Sequence, residues 1–170
     1  MSKKIVLVLL VVGFIGLGYY LISPVFRVVE TNEASPLAQT PPTTTSQPPT
    51  PQPQDTTTQT QAIVQPSVVA RGTFLPHAHA VNGTAMVIQD KQKTTLRFEN
   101  FDTVNGPDLR IYLATDLRAK DIVDLGPIKA TKGNVNYALD RNIDILKYRY
   151  VLVWCRAFSV LFSSAELQTL

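Results

Sequence analysis

The chain is short of the residues that most often announce chemistry. It has one cysteine, one tryptophan, two histidines and two methionines in 170 residues. A single cysteine cannot close an intramolecular disulfide, so no disulfide framework holds this chain together. No glycine-rich phosphate loop precedes a helix, and Ser159, Ser163 and Ser164 follow no nucleophile-elbow pattern, which removes the common nucleotide-binding and serine-hydrolase classes. There is no run of one charge sign; the net charge of +3 comes from mixed, scattered residues without aromatic interleaving. Nucleic acid is therefore not an expected partner. Nothing in the pattern indicates an enzyme.

What is present divides into three compositions. Lys3 and Lys4 precede an apolar and small-residue run from Ile5 to Ile22, which as a helix spans about 27 Å, near the hydrocarbon thickness of a bilayer. The expectation is a transmembrane anchor over residues 1–26, contacting membrane through residues 5–22. A cleaved signal peptide is the competing reading, but Tyr19, Tyr20, Pro24 and Phe26 follow without a clean small-x-small site. The lysines then place the N-terminus in the cytoplasm and the C-terminal domain outside the cell, as a single-pass membrane protein.

Residues 27–66 turn to Pro, Thr, Gln and Ser. Such a segment buries too little apolar surface to offset its ordering entropy and reads as a disordered stalk. Its threonines suit O-linked sugars, and Asn82-Gly83-Thr84 is an N-glycosylation triplet.

Residues 67–170 have the size of one domain. Short runs rich in Val, Ile, Leu, Phe and Tyr recur at intervals of roughly ten, at Thr84 to Gln89, Thr94 to Phe98, Leu109 to Ala114, Ile122 to Asp124, Asn134 to Leu139, Tyr150 to Cys155 and Phe158 to Phe162. Asn105 to Asp108, Leu125 to Pro127 and Lys132 to Asn134 read as turns between them. No segment reads as an amphipathic helix. The fold class expected is all-β, an antiparallel sandwich or barrel of about seven to nine short strands, preceded by the transmembrane helix and stalk.

Strand alternation puts Cys155 on one face with Val151 and Val153, and Trp154 on the other with Leu152 and Arg156. Both faces are apolar, which predicts a central strand with Cys155 at its rim. An unpaired thiol in an oxidising exterior is inert and buried, ligand-bound, paired between molecules, or reactive. A neighbouring cation or histidine would favour reactivity.

His77 and His79, with Met86 and Cys155, supply the ligand types of a blue-copper site. The order argues against copper, because no His or Met follows Cys155, and no metal is assigned. Asp102, Asp108 and Asp124 flank turns, where carboxylates cap amides; calcium is the alternative. The sequence names no cofactor.

Gly72-Thr-Phe74, His79, Gly83, the run Leu96 to Phe101, Gly106-Pro-Asp-Leu109, Ile111-Tyr-Leu113, Asp124-Leu-Gly126, Lys129, Gly133, Tyr137, Trp154-Cys155 and Phe158 to Phe162 occur in an order that resembles the DM-thirteen domain. This is a small extracellular β domain named for a proposed role in electron transfer. The resemblance covers residues 70 to 167. It implies a redox role for the Trp154–Cys155 pair, with the motif-matched His79 as second candidate, and a redox or other extracellular protein as partner. No reductase domain accompanies it here. The alternative is a surface-displayed binding or adhesion module, with Cys155 and Trp154 in the core and loops such as Asp102 to Asp108 contacting a partner.

Overall fold

A computed structural model of the chain describes residues 3–22, 27–38 and 65–170. One helix, α1, runs over Lys3–Ile22, and ten strands follow it: β1 Glu30–Asn32, β2 Ser67–Pro76, β3 Val81–Gln89, β4 Thr94–Thr103, β5 Leu109–Ala114, β6 Ile122–Pro127, β7 Lys132–Leu139, β8 Tyr150–Cys155, β9 Val160–Glu166 and β10 Gln168–Thr169. No helix among the described residues is long and apolar enough to cross a membrane. This overturns the expected transmembrane helix preceding the β fold, and with it the single-pass placement. Two lysines open α1, and the apolar run from Ile5 to Ile22 rises about 27 Å, slightly under a hydrocarbon core of roughly 30 Å.

The strands form one curved sheet in the order β1-β7-β4-β3-β2-β9-β8-β5-β6, with β10 also paired to β2. The result is a β half-barrel. It bends around β2, whose residues from Ser67 to Thr73 pair with β3 while Phe74 to Pro76 pair with β9. The concave side encloses the core. Phe74, Phe98, Phe101 and Tyr137 pack ring against ring at 4.9–5.2 Å, and Ile111, Leu113, Val135, Val151 and Val153 complete it with no exposed surface. Each such fully buried side chain contributes about 1.5–3 kcal/mol.

The hairpin between β3 and β4 shows how sequence sets a turn. Asp90 Oδ1 accepts hydrogen bonds from the Gln92 and Lys93 amides at 2.7 and 2.8 Å, an Asx turn that brings the strands back on register. These donors hold the Asp90 carboxyl below its usual range. The two glycine triplets expected as turns behave otherwise, since Gly126 and Gly133 lie inside β6 and β7. Gly133 has φ +108°, and a Cβ there would strike the Thr31 carbonyl oxygen. Here glycine marks a close backbone approach within the sheet.

That approach comes from a segment assigned by sequence to the stalk. Residues 27–38, here termed the clip, lay β1 parallel to β7, pairing Glu30, Thr31 and Asn32 with Lys132, Gly133 and Asn134. They continue through a 3-10 turn at Pro36–Ala38, in which Pro36 is buried. Arg97 on β4, 4% exposed, fixes the clip from below. Its Nη1 donates to the Glu33 and Ala34 carbonyls at 3.2 and 3.3 Å and to Asn136 Oδ1 at 3.0 Å, while Nε pairs with Glu99 at 2.9 Å. The remainder of the expected stalk, residues 39–64, lies outside the described residues.

Candidate functional site

β8 is central, hydrogen-bonded to β5 on one side and β9 on the other. Val151, Val153 and Cys155 all face the principal core, whereas Leu152 belongs to a second cluster on the convex face, with Tyr112, Ala114 and the partly buried Trp154. The alternation read from the sequence holds residue by residue. Cys155 and Trp154 are adjacent in the chain and on opposite faces of the sheet.

Cys155 is fully buried and free. Its thiol donates to the Pro107 carbonyl at 3.1 Å. That contact uses the thiol hydrogen, which a thiolate would not have to give. Pro107 belongs to the loop between β4 and β5, tightened by the Asn105 side chain, which accepts from the Gly106 amide at 2.9 Å. The loop ends at Asp108, where φ is +53°. The Asp108 carbonyl accepts from the Arg156 amide at 3.1 Å, and its carboxylate pairs with Arg156 Nε at 2.6 Å. Arg156 is thereby held outside the sheet by Asp108 and supplies no cation to the sulfur.

Phe162 closes the same rim. Its ring lies against the Gly106 backbone so tightly that a Cβ on Gly106 would sit 2.8 Å from Cζ. The exposed His79 ring packs against Phe162, centroids 4.0 Å apart at 49°. From Cys155 the contacts therefore run through Pro107, Gly106 and Phe162 to His79. The structure places His79 in the same corner as Cys155 without joining their side chains. The His77 amide also donates to the Phe162 carbonyl at 3.0 Å, while its ring turns to Ser164, Nε2 2.8 Å from Oγ.

The copper ligand types do not gather. Met86, between the core-facing Ala85 and Val87, is buried but turned to the other side of β3. Among the described residues no three His, Cys, Asp or Glu side chains group to hold a metal ion. Asp124 is bound to Arg110 through two contacts, at 3.2 and 2.9 Å, and caps the Gly126 amide at 2.8 Å.

On the convex face Trp154 sits directly across from Arg110, and its indole lies 6.5 Å from the Tyr112 ring at 32°. Burial, and then the nearby Asp124 carboxylate, push the Tyr112 phenol up. Among the described residues, one buried side-chain polar atom is unsatisfied: Ser163 Oγ, fully buried opposite Val153, has no hydrogen-bond partner.

Sequence reasoning marked Cys155, Trp154 and His79 but missed Pro107, Gly106 and Phe162 as their setting. The Gly-Pro pair was read as a turn, and nothing in a one-dimensional pattern says which side chain lies beneath a turn. Residues 73–167 match the model of a family described as Electron transfer DM13. No curated protein and no solved structure matches the chain.

Proposed function

The chain belongs to the Electron transfer DM13 family, and from that premise we propose that its β domain is a redox-related module whose working group is Cys155, screened from solvent by residues 105–108. The observation that carries this reading is the position of the sulfur. It lies at the end of a strand, under one half-buried loop residue whose carbonyl it contacts at 3.1 Å, rather than in the middle of the barrel. A shift of the loop would uncover it without opening the sheet.

A thiol that gives up one electron and its proton becomes a thiyl radical, so a redox partner docked over this corner has to accept both. His79, exposed and packed against Phe162, marks where such a partner would touch. Trp154 offers a second approach from the convex face, where its indole is partly exposed. The module is read as an electron-exchanging or binding domain, with no substrate turned over.

Full burial of Cys155 favours one other reading, a binding module in which the cysteine only packs. Alkylation of the folded protein separates the two. In the redox reading Cys155 reacts slowly but well before global unfolding, Gly106→Ala, which presses on Phe162, speeds the reaction at least tenfold, and Cys155→Ser abolishes electron exchange while the protein stays folded. Reaction only on global unfolding, with the same rate limit in Gly106→Ala, leaves Cys155 as packing and sinks the redox role.

A further inference from the structure

The clip differs from the other strands in how it is held. Val29 donates to Thr131 Oγ1 at 3.0 Å, and its carbonyl accepts from the Thr131 and Lys132 amides at 2.8 and 3.1 Å. The Glu33 amide donates to the Asn134 carbonyl at 2.9 Å, and the Glu33 carboxylate accepts from the Asn136 amide at 2.8 Å. Asn136 Nδ2 donates to the Ala34 carbonyl at 3.0 Å. The larger apolar side chains of the segment stay in solvent, with Val28, Val29 and Leu37 70, 44 and 41% exposed. Apart from Pro36 and an ion pair of Glu33 with Lys129 at 3.7 Å, the attachment is made of hydrogen bonds, mostly to the peptide backbone. Its release would open little of the core.

The receiving surface is built independently of its occupant. Arg97 is held by Glu99 and Asn136, both part of the groove, Thr131 is buried with its hydroxyl turned to the clip, and the missing Cβ of Gly133 makes room for Thr31. The groove also lies at a sheet edge, so an incoming strand need not thread between others.

We infer that the groove along β7 and Arg97 is a peptide-acceptor site, and that the clip of one copy of this chain docks in the groove of a second copy to give a strand-exchanged pair. Parallel addition of an edge strand, with backbone hydrogen bonds for affinity and Glu33 for register, is a recurring mode of peptide recognition. The clip is joined to β2 through residues 39–64, which at full extension reach at most roughly 90 Å, enough to serve a neighbouring copy. Every contact made within one chain is available between two, which is what makes exchange of an identical element a low-cost route to a dimer. The same connection holds the clip near its own groove at an effective concentration on the order of millimolar. Exchange is therefore a property of concentrated or clustered chains, and of chains whose own clip and groove do not match.

Two full-length variants test this. One has a disabled clip and an intact groove (Thr31→Pro with Glu33→Lys); the other has an intact clip and a blocked groove (Gly133→Ala, or Asn136→Ala should the former not fold). Native mass spectrometry of each alone should show monomer. An equimolar mixture should form a one-to-one heterodimer at a concentration at least tenfold below that at which the unaltered chain pairs, because only one clip-groove combination is productive and it lies between chains. A mixture that stays monomeric overturns the inference. So does a dimer equally abundant in each variant alone, which would place the association elsewhere on the chain.

Discussion

Tyr137 shows what a single buried side chain commits the fold to. Its hydroxyl accepts the Lys129 amide at 3.0 Å, its ring packs on Phe98, and burial pushes its phenol up to about 12 from 10.0. Because the folded state favours the protonated form, the associated stability is fully present below pH 10 and is lost as pH rises toward about 12. A shift of that size corresponds to about 2–3 kcal/mol. Urea denaturation across this range should show the decline, and Tyr137→Phe should remove it while lowering stability near pH 7 by about 1 kcal/mol, since the Lys129 amide loses its acceptor. An unchanged alkaline decline in Tyr137→Phe would assign it to another group. At this scale the sequence was informative where side-chain alternation operates. That Cys155 and Trp154 lie on opposite faces follows from their positions on an extended strand, and a pairing such as Cys155 with the Pro107 carbonyl does not, because it joins residues far apart in the chain through a backbone atom that every residue possesses.

Among the elements, β5 and β8 coincide with the apolar runs that predict them, Leu109 to Ala114 and Tyr150 to Cys155, because strands covered on both faces are nearly continuous in Val, Ile, Leu and Tyr. β9 is displaced. Phe158, expected to open it, lies 70% exposed in the turn before Val160, where the run's hydrophobicity concealed the hairpin. β2 was not anticipated because its polar residues, among them Arg71 and Thr73, sit where the sheet bends and its face is half covered. The clip was invisible for a related reason: Glu30-Thr-Asn-Glu33 carries no apolar pattern, and its pairing rests on Arg97 and on the space left by Gly133. Arg97→Met should expose this dependence. It leaves the Glu33 and Ala34 carbonyls with one donor fewer and Glu99 without its ion partner, at a cost of about 2–3 kcal/mol. A lower urea midpoint together with new protease cleavage within residues 27–38 is expected; unchanged cleavage would mean that strand pairing with β7 alone retains the segment.

The molecule as a whole joins distant parts of the chain. The expected all-β class survives as a half-barrel of ten strands, while the expected anchor does not, and the assigned beginning of the stalk is a strand of the sheet. The N-terminal half of β2 completes one side of the barrel and its C-terminal end begins the other, so neither side is a separate folding unit. A chain ending at Ser159 lacks β9 and β10, leaves one edge of β8 and the end of β2 unpaired, and removes Phe162 and Ala165 from the core. Its expected thermal melt is broad and without a cooperative transition. A sharp melt from that truncated chain would mean that the remaining strands hold a core of their own.

The partners of β2 and β1 also set a timetable for biosynthesis. β2 cannot complete its pairing until β9 and β10, at residues 160–169, exist, and β1 waits for β7. Such long loop closures make a β topology slow to form and leave strand edges open in the meantime. A ribosome that has released most of this chain still carries an unfinished barrel. The interval before residues 160–169 clear the exit tunnel is when Phe74, Phe98 and their neighbours are most open to wrong partners, and a chaperone that recognises extended apolar strands would have its greatest effect there.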